Sequence, residues 1–171
     1  MKSHSSTSNI KKKLSAPKAT SINLASTLES IGHIWVSDIM QRNPVTVNLN
    51  ENLDEATGIL AENSFRHLPV IDKEGDIQGI LSDRDLLNAV LRTSRTKLYD
   101  RADNPWTTVQ VKSVMTKTPE TVTPETTLAE AGALILENRI SCLPVVEGNH
   151  LVGIITSSDF VKLVSQGMGA E

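Results

Sequence analysis

Two seven-residue stretches carry side chains that could do chemistry, in the same order. They are Gly79-Ile80-Leu81-Ser82-Asp83-Arg84-Asp85 and Gly153-Ile154-Ile155-Thr156-Ser157-Ser158-Asp159. In each, a glycine and two aliphatics end a strand, a hydroxyl residue follows, and an aspartate comes three residues later. An aliphatic helical run comes next: Leu86, Leu87 and Val90, or Phe160, Val161 and Val164. A strand running into a helix start gathers free backbone N–H groups and the positive end of the helix dipole, which suits an anion. Ser/Thr-x-x-Asp before an apolar run is also a capping box, in which the hydroxyl and the carboxylate satisfy each other's backbone N–H. For one copy, capping alone is the favoured reading. A second copy in the same context narrows the gap without closing it.

Other chemistry finds little support. Cys142 is the single cysteine, and none of the histidines (His4, His33, His67, His150) is placed by sequence to act as its base. It reads as a small buried hydrophobe, and it excludes an internal disulfide. No His/Cys/carboxylate group has metal-ligand spacing, and no Walker-type loop exists. The expectation is a protein that is not an enzyme, with no metal and no catalytic cofactor.

The elements that hold the two stretches are themselves duplicated. Residues 36–90 align with 111–164 at an offset of 75, falling to 74 after a one-residue deletion near Gly148. Identical pairs include Met40/Met115, Pro44/Pro119, Leu53/Leu128, Asn63/Asn138, Pro69/Pro144, Gly79/Gly153 and Asp85/Asp159. Each copy opens with an extended segment (Val45-Thr46-Val47; Thr121-Val122-Thr123). A helix follows, opened by a capping box at Asn52-x-x-Glu55 or Thr127-x-x-Glu130 and stopped at Asn63 or Asn138, residues that tolerate the left-handed conformation. Two strands come next, Leu68–Ile71 with Ile77–Leu81, or Leu143–Val146 with Leu151–Ile155, and then the second helix. Met40 and Met115 precede the first strand of each copy as packing residues. The fold class is therefore α/β (α+β): a tandem repeat of two β-α-β-β-α units, each burying its faces against the other about a pseudo-twofold axis.

Around this body, residues 1–22 form a Ser/Thr/Lys-rich basic tail expected to be disordered, with a basic arm for a membrane or nucleic acid as the alternative. Leu24, Leu28, Ile31 and Trp35 lie on one stripe of a helix, so the first unit runs from 23 to 90. A polar linker covers 91–110, long enough to carry a short helix or ligand contacts. The second unit covers 111–165, and 166–171 is a tail. Residues 1–28 hold five lysines and no acid, and the remainder holds 12 Lys+Arg against 20 Asp+Glu. That body is a poor nucleic-acid binder by charge. Only five residues are aromatic, so the core is aliphatic. No run of about 18 apolar residues exists to span a membrane and there is no secretory h-region, so the expected location is cytoplasmic.

The tandem pattern "RHLPVID…GILSDRD" and "SCLPVVE…GIITSSD" resembles the cystathionine-β-synthase (CBS) domain pair, or Bateman module, over about residues 34–165. The resemblance implies two clefts between the repeats that bind an adenine nucleotide (AMP, ADP or ATP) or S-adenosylmethionine. It implies Asp85 on ribose and Ser82 at phosphate in one cleft, with Val45, Thr46, Phe65, Arg66 and His67 around the base. In the other it implies Asp159 and Thr156, with Glu120, Thr121, Ile140, Ser141 and Cys142. Arg84 adds a cation where Ser158 stands in the second copy. The pair before Leu-Pro-Val often reaches the phosphate of the opposite repeat, so Arg66 and His67 could serve the Asp159 site while the Asp85 site relies on Arg84. The two sites are expected to differ. The implied activity is that of a regulatory sensor, homodimeric and acting in trans on a separate protein. The competing expectation is a structural or interaction module whose clefts bind nothing.

Overall fold

The computed structural model describes residues 34–95 and 105–167. The expected basic tail, most of the Leu24–Trp35 stripe, the middle of the linker and the last residues lie outside that range. Each repeat is a helix on a small sheet, closed by a second helix. In the first repeat β2 (Val47–Asn48) leads to α2 (Leu53–Asn63), the hairpin β3 (His67–Ile71) and β4 (Ile77–Ser82), and α3 (Asp83–Arg95). In the second repeat α5 (Leu128–Asn138), β6 (Cys142–Glu147), β7 (His150–Thr156) and α6 (Ser157–Gly167) follow the same order. The short helices α1 (Val36–Ile39) and α4 (Pro105–Thr108) lie in the lead-ins to the two repeats.

The lead-ins cross over. β1 (Gln41–Arg42) belongs to the first repeat by sequence but pairs antiparallel with β7, with Gln41 opposite Ile154. β5 (Thr116–Lys117) pairs with β4, with Thr116 opposite Ile80. The sheets therefore run β1-β7-β6 and β2-β3-β4-β5. Backbone bonds secure the exchange equally on both sides. Leu128 N–H donates to Ile34 O at 2.8 Å and Val36 N–H to Thr126 O at 2.8 Å, as Leu53 N–H donates to Val109 O at 3.0 Å and Val111 N–H to Glu51 O at 2.9 Å. Each lead-in thus fills the opposite repeat's core. Val36 and Met40 pack with Leu128, Ala131, Leu143, Val145 and Ile155, while Val111 and Met115 pack with Leu53, Ala56, Leu68, Val70 and Leu81. Full burial of an aliphatic such as Val36 or Val111 stabilises by about 1.5–3 kcal/mol, so each repeat's core draws on the other's segment.

The exchange explains the two glycines. A Cβ on Gly79 would sit 2.6 Å from Met115 Sδ and 2.7 Å from Thr116 O; on Gly153 it would sit 2.6 Å from Met40 Sδ and 3.2 Å from Gln41 O. The methionines do pack, against the opposite repeat's glycine.

Local expectations are met unevenly. Thr127 and Glu130 form the reciprocal capping box, with Glu130 N–H on Thr127 Oγ1 at 3.2 Å and Thr127 N–H on Glu130 Oε2 at 3.0 Å. The Thr127 hydrogen bonds hold the Glu130 carboxyl below its usual range. Asn52 makes no side-chain cap; it forms a bridge with Gln110 instead. The left-handed stops are Ser64 (φ 56) and Arg139 (φ 53), one residue later than expected. Asn63 and Asn138 stay helical and donate to Ile59 O and Leu134 O. The linker does hold a short helix, α4, and α3 continues past residue 91 to Arg95. Among the described residues no helix is long and apolar enough to cross a membrane.

Candidate functional site

The hydroxyl residues Ser82 and Thr156 end β4 and β7, and each serves as the start of a helix. Ser82 N–H and Oγ–H both donate to Asp85 Oδ2, at 2.9 and 2.6 Å, and Asp85 N–H returns to Ser82 Oγ at 3.2 Å. Thr156 N–H and Oγ1–H donate to Asp159 Oδ2 at 2.9 and 2.8 Å. Both aspartates therefore cap with one oxygen. The other oxygen of Asp159 takes Lys162 Nζ at 3.2 Å, while that of Asp85 has no protein partner among the described residues. The first helical N–H groups are also occupied: Asp83 N–H donates to Arg66 O at 3.2 Å and Ser157 N–H to Ser141 O at 3.0 Å. An incoming anion meets the next N–H groups, at Arg84 and Ser158, rather than the ones directly after the hydroxyls.

Two clefts open beside these helix starts, and the segment exchange decides what lines them. The Thr156 cleft, about 480 Å³, brings Thr156, Ser158 and Asp159 together with Val45, Phe65, Arg66 and His67 of the first repeat. Pro44, Pro69 and Ile154 add apolar wall, and Gln41, Ser64, Ser141, Ser157 and Lys162 add polar atoms. The Ser82 cleft, about 710 Å³, sets Ser82, Asp83, Arg84 and Leu87 against Arg139, Ile140 and Ser141 of the second repeat. Arg66, His67 and Ser141 line both clefts, and His67 Nε2 and Ser141 Oγ are 2.8 Å apart between them.

This grouping corrects the primary assignment from sequence, which set Val45, Phe65, Arg66 and His67 with Asp85, and Ile140 and Ser141 with Asp159. Val45 and Phe65 line only the Thr156 cleft and Ile140 only the Ser82 cleft, so these three change sides, whereas Arg66, His67 and Ser141 line both and keep their assigned site as well as the crossed one. Thr46, Glu120 and Asp85 line neither cleft, Asp85 being turned back onto Ser82 as its cap, and Thr121 lines a separate surface groove beside α5. Cys142 lies behind the cleft wall, packed with Ile80 and Ile154 where the two repeats meet. Burial there pushes its thiol up to about 12, which disfavours the reactive thiolate.

Sequence reasoning missed Lys162, Arg139, Gln41 and Ser64. Lys162 was detectable as a helical i+3 neighbour of Asp159. The others required knowing which repeat each segment faces. Desolvation holds the His67 imidazole below its usual 6.5; Arg66 and Arg84 push the same way, and Asp83 and Asp85 oppose them. His67 at neutral pH is thus an uncharged hydrogen-bonding group shared by both clefts. Among the described residues no group of three His, Cys, Asp or Glu is placed to hold a metal.

Comparison with known proteins gives a consistent pattern. The family profile described as "CBS domain" matches residues 36–92 and 111–166. A CBS domain-containing protein of Dictyostelium discoideum is 31% identical over 135 residues, covering 77% of this chain and 91% of that one. The crystal structure of CBSX2 in complex with AMP superposes with a TM-score of 0.66 at 30% identity, covering 79% of this chain and 98% of that one. The CBS domain pair of MJ0100, in complex with 5'-methylthioadenosine and S-adenosyl-L-methionine, superposes at 0.66 with 25% identity, covering 78% and 97%. A homoserine O-acetyltransferase of Methanosarcina acetivorans also matches at 27% identity, but this chain spans only 22% of its length.

Proposed function

The chain belongs to the CBS domain family, with two such domains in tandem, and from that premise we propose that it is a regulatory module binding an adenosine-based ligand between its repeats. One observation carries the reading: each cleft joins a capped helix start to the loop and strand of the opposite repeat, and in the Thr156 cleft the capping acid, Asp159, lines the opening as well. In the Thr156 cleft Asp159 serves a ribose diol, as an acidic residue does in dinucleotide sites. The adenine lies against Val45, Phe65, Pro44 and Ile154. Arg66 and the Ser158 N–H meet the phosphate. Relatives solved with AMP or with S-adenosyl-L-methionine support a ligand of this class.

The output is read by a separate protein. Leu87 and Leu91 on α3, and Val161 and Val164 on α6, are 52–68% exposed and offer matching apolar faces for a homodimer. Sedimentation of the wild type against Leu87→Asp/Val161→Asp tests that pairing; a monomeric wild type removes it. Calorimetric titration with AMP, ATP and S-adenosylmethionine tests the binding. Absence of heat with all three, from a folded sample, rejects the sensor. The second reading, a structural module, is favoured by the fact that both aspartates are already engaged as caps. It requires Asp85→Ala and Asp159→Ala to lower stability without changing any ligand affinity.

A further inference from the structure

Charge separates the two clefts more sharply than shape does. The guanidinium groups of Arg66, Arg84 and Arg139 all line the Ser82 cleft. None of them has an ion pair or side-chain hydrogen bond among the described residues. The positions equivalent to Arg84 and Arg139 in the other repeat are Ser158 and Ser64, and both line the Thr156 cleft. That cleft shares Arg66, but its own cation, Lys162, is neutralised by Asp159 at 3.2 Å. One acid, Asp83, also lines the Ser82 cleft and leaves it net positive. In a body with excess acid, three unpaired arginines converging on one opening repel each other, and an anion relieves that repulsion. Arg139 moreover occupies a left-handed stop (φ 53) that glycine or asparagine would adopt at lower cost, so the turn does not explain an arginine there.

We propose that the Ser82 cleft is a polyphosphate subsite, taking a nucleoside di- or triphosphate, while the Thr156 cleft takes an adenosine ligand with at most one phosphate. This rests on reading the clefts as nucleotide sites. Two extra guanidinium forks, each offering paired N–H donors, match the β- and γ-phosphates that a monophosphate lacks. The Ser82 cleft is also the larger of the two, at about 710 against 480 Å³.

The test uses the full chain and its Arg84→Ser and Arg139→Ser variants, which install residues the fold already carries at the equivalent positions. AMP, ATP and inorganic tripolyphosphate are titrated calorimetrically into each. In the wild type ATP is expected to bind roughly tenfold tighter than AMP, and either substitution is expected to lower the ATP-to-AMP affinity ratio about tenfold. The reciprocal Ser64→Arg/Ser158→Arg variant is expected to gain a second tight ATP site. If AMP and ATP both bind but neither arginine variant changes their ratio, the polyphosphate assignment falls and the nucleotide reading stands. If ATP binds no tighter than tripolyphosphate, the nucleoside part of the assignment is wrong. If nothing binds to a folded sample, the nucleotide reading itself is lost.

Discussion

The Thr156 and Ser82 clefts share a backbone plan and differ in their side chains. Both are formed by a helix start from one repeat and the stretch before the central hairpin of the other. Their backbone bonds correspond one for one, Asp83 N–H to Arg66 O in one and Ser157 N–H to Ser141 O in the other. The side chains at the mouths diverge: Arg66 against Ser141, Ser64 against Arg139, Arg84 against Ser158, while Cys142, the counterpart of His67, is buried behind the wall. Core positions such as Leu53/Leu128 and Val70/Val145 must fill the same volume in both copies, and they are identical. The cleft mouths carry no such constraint, so a duplicated fold can hold two different sites without altering its frame.

The largest expected effects probe the frame. Gly79→Ala sets a methyl against both a methionine sulfur and a carbonyl oxygen, whereas at Gly153 the oxygen is farther away, at 3.2 Å. Gly79→Ala should destabilise by about 3 kcal/mol and Gly153→Ala by about 1 kcal/mol, read from urea midpoints. Equal losses would mean that the two exchanged strands are seated alike. Next comes Arg66→Ala, which touches both clefts and should weaken every phosphate-bearing ligand about tenfold, an effect of about 1.4 kcal/mol per site. An effect on one ligand alone would break the sharing. Thr127→Ala should cost about 1 kcal/mol by loss of its capping box, and Asn52→Ala close to nothing, since Asn52 caps no N–H with its side chain.

The smallest effect is electrostatic. The folded state holds His67 below its usual 6.5, so it takes up a proton less readily than the unfolded chain does. The stability this provides is full above pH 6.5 and declines as pH falls from there toward the folded-state value. A bound phosphate beside Arg66 opposes that shift, so ligand should flatten the decline. Urea midpoints between pH 5 and 7.5, with and without AMP and with His67→Gln as reference, check both signs. A profile unchanged by the substitution removes His67 from the clefts' electrostatics.

The legibility of the sequence follows the same division. The repeat, its element order and the Thr127/Glu130 box could be read because each rests on local spacing or self-similarity. The exchange could not. Gln41–Arg42 and Thr116–Lys117 are two-residue strands, too short to show a period, and nothing local says which sheet they join. Without that exchange in view, Val45 and Phe65 fall with Asp85 rather than with Asp159, whose cleft they line. The resemblance implies a cleft position for Cys142, which aligns with His67, but the two side chains do not share an environment: Cys142 fills the seam beside Ile80 and Ile154. Asn63 and Asn138 were sensible left-handed stops by residue preference. Their amides bond back to the preceding turn instead, which passes the positive φ to Ser64 and Arg139.

The most direct measurement is calorimetric titration of AMP into the wild type and Asp159→Ala, with the folding stability of both determined in the same buffer. If the acid at the helix start holds both the cap and the ligand's diol, the substitution lowers stability by about 1 kcal/mol and weakens AMP at least about tenfold. A variant that loses the stability yet binds AMP as tightly as the wild type would show that Asp159 is a cap and nothing more.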